Sequence, residues 1–465
     1  MSAITIKIER AKKLPAIPKS WTRRLEQHED RVFLLLTIVI GAVVGLVVVA
    51  FIVLTGNLGA RMYPPGGSPW RRLLVPVAGS LATGYLLFRY FPYARGSGIP
   101  QTKAALFARE GYIRARTVLG KFFCCSTSLA SGIALGREGP SVQVGAGIAS
   151  LLGRSLGLGP EKVKALIPVG ASAAVAAAFN TPIAGVLFAL EEIMGDMNAP
   201  VLGSVVLSSA TAWIVLHLLL GDEPLFHTPA YELVHGVEFA VYAVLGVLGG
   251  LVSVGFVKLL LGLRAWFLRR PKQTGWFQPV AGGLLVGIMG WFVPQSLGIG
   301  YQYVGDALNG NIAPKTMALL LALRVVGTAV CYASGNAGGV FGPALFIGAM
   351  LGGTLGNLAH QVFPNSVASV GAYALVGMGT AFAGIVRVPM TSVIMIFEVT
   401  RDYAIIVPLM ISNLISFFIS RRLQPEAIYE ALSRQDGIHL PRSGAHRRSE
   451  HSAREGSHVA GKPGH

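Results

Sequence analysis

The residues best suited to chemistry in this sequence are a glutamate and its neighbours in a short polar stretch, Gly-Arg-Glu-Gly-Pro at 136–140. A related stretch, Gly-Val-Phe-Gly-Pro, lies at 339–343. A Gly-Pro pair that opens a helix leaves backbone N–H groups without intrahelical partners at the positive end of the helix dipole, which attracts an anion. Because the surrounding sequence is apolar, Glu138 would be a carboxylate inside a membrane, where an ionisable group is costly and functional by default. The pattern predicts an anion site with a titratable group beside it.

Two further places carry polar side chains of interest. A Gly-Ser-Gly turn lies at 96–98, where open backbone and the Ser97 hydroxyl can donate hydrogen bonds to a ligand, although a plain turn is the simpler interpretation of this stretch alone. A helix predicted to start near Pro182 carries Glu191 and Glu192 at its far end. The alternative is that this helix simply ends in the cytoplasm with two solvated acids, which suits Glu191 better than Glu192.

The composition places these residues in a membrane protein. Of 465 residues, 52% are hydrophobic and only 13% are charged, and the mean hydropathy is +0.58. A soluble protein of this size would need more polar surface. Apolar runs near the length of a membrane span lie at 32–55, 73–87, 199–220, 237–261, 280–293 and 317–331. Shorter runs interrupted by Gly or Pro predict helices that stop within the membrane.

The charge is strongly basic, with 39 Lys and Arg against 22 Asp and Glu and a formal net charge of +17. Much of the excess lies at the two ends, in 1–31 and 421–465. Nucleic acid is one interpretation of such a balance, but Lys and Arg that flank membrane spans are explained more simply by the positive-inside rule. We therefore expect no nucleic-acid partner and cytoplasmic termini. The polar start of 1–31 is too long for a cleavable signal peptide.

The cysteines and histidines of the sequence do not indicate a metal site or an enzyme. Cys124, Cys125 and Cys331 lie in apolar sequence, offer no disulfide framework and lack metal-ligand spacing. Five histidines of the polar tail 436–465 are irregularly spaced and fit solvated sequence better than a metal site. No histidine or nucleophile–base pair lies near Glu138 in the sequence, which argues against an intramembrane enzyme. We expect no metal, no cofactor and no catalytic residue.

An internal repeat organises the chain. The Gly-Pro motifs at 136–140 and 339–343 lie 203 positions apart, and the stretch 181–191 is matched 207 positions later by 388–398. Motifs that recur in the same order and with nearly the same spacing indicate an internal duplication of the chain. Duplicated halves with interrupted helices are typical of transporters that bind their substrate near the membrane midplane, at the repeat interface.

The predicted parts of the chain follow from this repeat. They are a cytoplasmic N-terminal segment at 1–31, a first membrane repeat at 32–220, a second at 221–422, a cytoplasmic-end helix that lines the anion path at 423–435, and a disordered cytoplasmic tail at 436–465.

Together the motifs resemble those of the CLC family of chloride channels and chloride/proton antiporters. The resemblance covers about residues 30 to 435 and rests, in order, on 96–100, 136–140, 339–343 and Tyr429. It implies an all-α polytopic membrane protein of two inverted-topology repeats, with tilted and interrupted helices. It also implies a homodimer with one anion pathway in each subunit, in contact with membrane lipid.

The resemblance further implies roles for single residues. Glu138 would be the external gate, whose carboxylate can itself occupy an anion position, and Glu192 the internal proton-transfer group. The implied donors to a central chloride are the hydroxyls of Ser97 and Tyr429 and the backbone N–H groups of Val340 and Phe341. Neutral donors suit this task, because a nearby lysine would hold a dehydrated chloride too tightly to release it.

The implied function is a proton-coupled chloride antiporter of the cell membrane, the inner membrane in a bacterium. A voltage- or pH-gated channel of the same family is the nearest alternative, and the presence of Glu192 favours exchange because family channels commonly lack a carboxylate there. An antiporter for another anion is a second alternative, although the changes near Ser97 that are common in fluoride- and nitrate-preferring relatives are not present. Two positions depart from the family pattern: Gln101 stands where an acid is common, and Gly342 where Ala is common.

Overall fold

A computed structural model describes residues 29–197, 200–222, 224–226, 235–364 and 366–438. The predicted cytoplasmic segment therefore lies outside the described residues up to position 28. The predicted tail lies outside them from position 439, together with its five histidines. The rest of the chain is built from α-helices and short connections.

The helices fall into two sets that follow the predicted repeats. The first set is α1 Glu29–Met62, α2 Pro69–Arg89, α3 Ile99–Ala108, α4 Ala115–Ala130, α5 Glu138–Ser155, α6 Pro160–Phe179, α7 Pro182–Phe188 and α8 Leu202–Leu220. The second set is α9 Val237–Leu268, α10 Pro279–Phe292, α11 Tyr301–Leu308, α12 Pro314–Ser334, α13 Phe341–Val362, α14 Val370–Ile385, α15 Pro389–Thr400, α16 Ile406–Leu423 and α17 Ile428–Gln435.

Helix lengths confirm a polytopic membrane protein with interrupted helices. Among the described residues, seven helices are long and apolar enough to cross a membrane: α1, α6, α8, α9, α12, α13 and α16 with its continuation. Helices α10, α14 and α15 are apolar but shorter. The run at 280–293 forms the 14-residue α10, which rises only about 21 Å and falls short of about 30 Å of hydrocarbon.

Glycines bring the same pair of helices into backbone contact in both repeats. A β-carbon built on Gly145 of α5 would lie 2.3 Å from the carbonyl oxygen of Gly170 on α6. In the second repeat, one built on Gly348 of α13 would lie 2.1 Å from the carbonyl oxygen of Gly377 on α14. Small residues allow this approach, as is common between membrane helices. The corresponding glycines of the two contacts are separated by the same spacings, 203 and 207 positions, as the repeated sequence motifs.

Each repeat supplies an acid that caps a helix of the other repeat. Glu398 near the end of α15 accepts hydrogen bonds from the backbone N–H groups of Ile183 and Ala184 in α7, at 2.8 and 2.6 Å. Glu191, which follows α7, accepts one from the N–H of Thr391 in α15 at 2.8 Å. The interpretation of Glu191 as a solvated acid is therefore wrong, because the free N–H groups at a helix start attract a carboxylate.

Two predicted helices have different ends in the structure. The largely apolar stretch 113–135 predicts one continuous helix, but α4 ends at Ala130. The chain then turns through Gly132, whose φ of +90° is left-handed, and this turn leads into the Glu138 motif. The cytoplasmic-end helix predicted at 423–435 starts only at Ile428.

Candidate functional site

The first turns of α5 and α13 meet in the protein interior. Just before these helices, Gly136 and Gly339 form a reciprocal backbone pair in which each N–H donates to the other's carbonyl at 2.8 Å. Each helix starts two residues later, so the positive ends of two helix dipoles come together. This arrangement provides backbone donors for negative charge from both repeats.

The carboxylate of Glu138 lies at this meeting point. The side chain is completely buried. Its Oε1 accepts a hydrogen bond from the Tyr301 hydroxyl, and its Oε2 accepts one from the backbone N–H of Gly342 at 3.2 Å. Arg137 Nε lies 3.9 Å from Oε1, a long ion pair. The carboxylate thus occupies the start of α13, where a bound anion would be held.

Ser97 lies on a turn that packs against the start of α5. Gly96 and Gly98 flank it with φ of +89° and +106°, values that glycine adopts at little cost. A β-carbon built on Gly139 would lie 2.7 Å from Ser97 Oγ. The Ser97 backbone N–H donates to the hydroxyl of Tyr332 at 3.2 Å. The Ser97 hydroxyl itself is buried and lacks a hydrogen-bond partner in the described part of the chain.

Tyr429 supplies a second buried hydroxyl, beside that of Ser97. Its side chain is completely buried, and its Oη has no hydrogen-bond partner among the residues that the structure describes. Its hydroxyl nevertheless interacts with the Ser97 side chain, so the two buried hydroxyls lie beside each other, and Tyr332 acts on it electrostatically. Buried hydroxyls are rarely left without a partner. Two of them in one region fit a site that is completed by a small anion.

The predicted backbone donors lie at the start of α13. Phe341 is the first residue of this helix and Val340 its N-cap. The N–H groups of a first helical turn have no acceptor within the helix. The Phe341 ring is held by Phe179 and Phe382, with ring centroids 4.7 and 4.3 Å away. The structure therefore brings Val340 and Phe341 to the same helix end as Glu138.

Glu192 lies in a turn of π-helix over Ala189–Met194 that follows α7. Such turns inside helices are frequent at functional sites. Glu192 is only 6% exposed, and its Oε1 accepts a hydrogen bond from Lys103 Nζ of α3 at 2.9 Å. Lys103 is itself 8% exposed. Glu192 is therefore one half of a buried ion pair.

A cluster at the end of α9 holds the last helix in place. Arg264 donates to Gln435 Oε1 at 2.9 Å and to Asp436 Oδ1 at 2.5 Å. Gln435 in turn donates to the Leu261 carbonyl at 3.0 Å. Since these residues end α17, the contacts fix the short helix that carries Tyr429.

Sequence reasoning missed two partners of the predicted site, Tyr301 and Lys103. Tyr301 opens α11 after a Gly-Ile-Gly turn, which gives no sign that its hydroxyl reaches Glu138. Lys103 carried a signal, since it is a lone cation in the otherwise uncharged segment 99–108. A buried charge is expected to have a partner.

The fold defines a class: polytopic α-helical membrane proteins with duplicated halves whose helix starts meet inside the protein. The family profile described as "Voltage gated chloride channel" matches residues 78–421. The chain belongs to this family, the CLC family, as the sequence motifs predicted.

Several relatives and structures are similar to this chain. It is 33% identical over 379 residues to a ClcB-like chloride channel protein of Ralstonia nicotianae, which covers 80% of this chain and 88% of that protein. It is 32% identical over 354 residues to the H(+)/Cl(-) exchange transporter ClcA of Vibrio campbellii, with 75% and 76% covered. The crystal structure of a slow cyanobacterial Cl-/H+ antiporter matches with a TM-score of 0.81 at 26% identity, over 87% of this chain and 97% of that one. The likeness agrees with the predicted all-α CLC fold.

Proposed function

We propose that the protein exchanges chloride for protons across a membrane. One observation carries the proposal: the buried carboxylate of Glu138 takes a hydrogen bond from the Gly342 N–H at the start of α13. A carboxylate in that place is both an anion and a proton acceptor. It can therefore compete with chloride and carry the coupled proton.

The exchange cycle follows from the charge of this one group. As a carboxylate, Glu138 is held by the N–H of Gly342 and blocks the anion path. Protonation removes its charge, weakens its attraction to the helix start and lets chloride take its place. Chloride entry and proton uptake are then two results of the same side-chain movement.

The remaining site residues have separate tasks in this proposal. A central chloride would be held by the hydroxyls of Ser97 and Tyr429 and by the N–H groups of Val340 and Phe341. These donors are neutral, so the ion can be bound and released. Glu192 would pass protons on the internal side, and its ion pair with Lys103 places it in the protein rather than in bulk water.

A chloride channel of the same family is the second candidate. The ClcB-like relative named above is described as a channel protein, whereas the Vibrio protein and the cyanobacterial structure are described as an exchange transporter and an antiporter. The buried carboxylate of Glu192 favours exchange, because a channel needs no internal proton carrier.

The proposal includes the organisation of the protein in the membrane. We place repeats at 32–220 and 221–422, the path-lining helix at 423–435 and both termini in the cytoplasm, with the inner membrane as the location in a bacterium. Arg421 and Arg422 at the end of α16 support this orientation through the positive-inside rule. A homodimer in contact with lipid is supported by the family.

The gate can be tested with Glu138→Gln, which keeps the shape of the side chain but cannot carry a proton. We expect chloride flux from liposomes to persist, to lose its pH dependence and to move no protons. Glu161→Gln, at an acid with an 87% exposed side chain, is the matched control and should behave as the unchanged protein does. If folded Glu138→Gln protein keeps the pH dependence and the proton coupling, Glu138 is not the gate.

A further inference from the structure

The hydrogen bond from Tyr301 to Glu138 joins the site to a short helix that no predicted motif includes. Tyr301 is the first residue of α11, and its hydroxyl donates to Glu138 Oε1. The Arg137 guanidinium lies 5.5 Å from the Tyr301 ring centroid, and the Phe226 ring meets it edge-on with centroids 5.6 Å apart. The phenol is thus fixed by its ring as well as by its hydroxyl.

The backbone before Tyr301 is also fixed. Arg324 of α12 is 2% exposed and donates to the carbonyls of Gly298 and Ile299 at 2.7 and 2.9 Å. Its guanidinium also lies 4.1 Å from the centroid of the Phe346 ring. Since Arg324 holds the loop that leads into α11, the Tyr301 hydroxyl is presented to Glu138 from a rigid support.

Gly342 leaves room for this contact. A β-carbon built on Gly342 would lie 3.0 Å from Tyr301 Oη and 3.0 Å from Glu138 Oε2. That spacing is tighter than an ordinary van der Waals contact. An alanine at this position would press on both partners of the hydrogen bond. The glycine that departs from the family pattern and the tyrosine therefore belong to one arrangement.

Tyr301 also borders an open cavity of about 400 Å³. The cavity is lined by Tyr63, Arg71, Arg72 and Tyr303 as well as by Tyr301. In the proposed orientation it opens to the external side, because it lies at the far end of α1. The two arginines raise the local concentration of anions. Tyr301 thus stands between a basic vestibule and the carboxylate.

We propose that Tyr301 is the latch of the outer gate, a positioning residue whose hydroxyl holds the Glu138 carboxylate in the closed position. The latch rests on the proposed role of Glu138. Opening the gate towards the cavity requires this hydrogen bond to break, and protonation of Glu138 favours the break because a neutral acid is a weaker acceptor. The charged and titratable groups that act on the pair are Arg137 just before α5, Arg324 on α12 and Tyr429 on α17.

Tyr301→Phe tests the latch, because it removes the hydroxyl and keeps the ring that packs on Phe226. Without this donor the carboxylate is less favoured, so Glu138 takes up its proton at higher pH. We expect the pH of half-maximal chloride flux in liposomes to rise by about one unit, the equivalent of a tenfold change. Tyr303→Phe is the control: Tyr303 lines the same cavity, and removing its hydroxyl should leave the pH of half-maximal flux unchanged. Gly342→Ala, which disturbs the bond from the other side, should move it in the same direction.

A double variant separates the latch from the gate. In a Glu138→Gln background there is no carboxylate to hold, so adding Tyr301→Phe should change neither flux nor its pH profile. If Tyr301→Phe and Gly342→Ala both keep the original midpoint while Glu138→Gln abolishes pH dependence, the latch is refuted and the gate stands. If Glu138→Gln keeps its pH dependence, the proposed function fails first. If Tyr301→Phe does not fold, Gly342→Ala decides alone.

Discussion

The buried ion pair between Lys103 and Glu192 gives the sharpest stability prediction. Both side chains are almost fully buried, at 10% and 7% exposure, and Nζ lies 2.9 Å from Oε1. Lys103→Met keeps the apolar stem and removes the ammonium group. The change leaves a buried carboxylate without its cation, near the negative groups Glu191 and Glu430. Breaking such a pair from one side typically costs about 3–5 kcal/mol.

The loss of stability should depend on pH, because the buried group that has lost its partner can become neutral by gaining or losing a proton. An unpaired buried acid can take up a proton, which costs about 1.36 kcal/mol for each unit between the pH and a reference pKa of about 4.3. The penalty of Lys103→Met is then limited to about 3.7 kcal/mol at pH 7 and about 1 kcal/mol at pH 5. Glu192→Gln strands the lysine instead, with a limit of about 4.6 kcal/mol at pH 7 and about 1.9 kcal/mol at pH 9. Acid therefore relieves Lys103→Met, and alkali relieves Glu192→Gln.

The assay is reversible unfolding in mixed detergent micelles at acid, neutral and alkaline pH. The double variant Lys103→Met with Glu192→Gln removes both charges and should recover most of the lost stability, since replacing a whole buried pair is often close to neutral. Penalties that add in the double variant, or that do not change with pH in opposite directions, would refute the reasoning.

Two further variants test the proposed ion sites. Ser97→Ala removes a buried hydroxyl and should weaken chloride binding by roughly ten- to a hundredfold in calorimetry, as expected for a donor to a charged ligand. The control is Ser128→Ala, because the Ser128 hydroxyl is also buried and has no hydrogen-bond partner in the described chain. Equal affinity in both variants would remove Ser97 from the site. In liposomes, Glu192→Gln should keep chloride flux and stop proton movement, measured at a pH where the folded protein is stable, and intact coupling there would contradict the assignment of Glu192.

The sequence predicted the helix starts best because their signals are local. Pro182 and Pro389 open α7 and α15 as expected, and the Gly-Pro motifs stand at the starts of α5 and α13. Proline at a first helical turn has a fixed φ and loses no hydrogen bond there, so its meaning depends little on the rest of the fold. The internal repeat could be predicted for the same reason, because it was recognised from these local Pro and Gly-Pro motifs.

Side-chain partners could not be predicted in this way. Tyr301 lies 163 positions from Glu138 in the sequence, and Lys103 lies 89 positions from Glu192. Such contacts depend on how whole helices pack. Lys103 signals only that a buried charge needs a partner, and its position does not tell which residue that partner is. Glu191 shows the same limit, since an acid at a helix end is equally suited to water and to the start of a neighbouring helix.

Proton coupling in the unchanged protein is the most direct test of the central claim. Purified protein in chloride-loaded liposomes is placed in low chloride, the charge movement is relieved with a potassium ionophore, and the external pH is followed as chloride leaves. No proton gradient is present at the start, so any proton uptake must be driven by the chloride that leaves. We predict that protons enter the liposomes and the external solution becomes more alkaline. The pH change should stop when a proton ionophore is added. Chloride loss without any change in external pH would show a channel and contradict the exchange of chloride for protons.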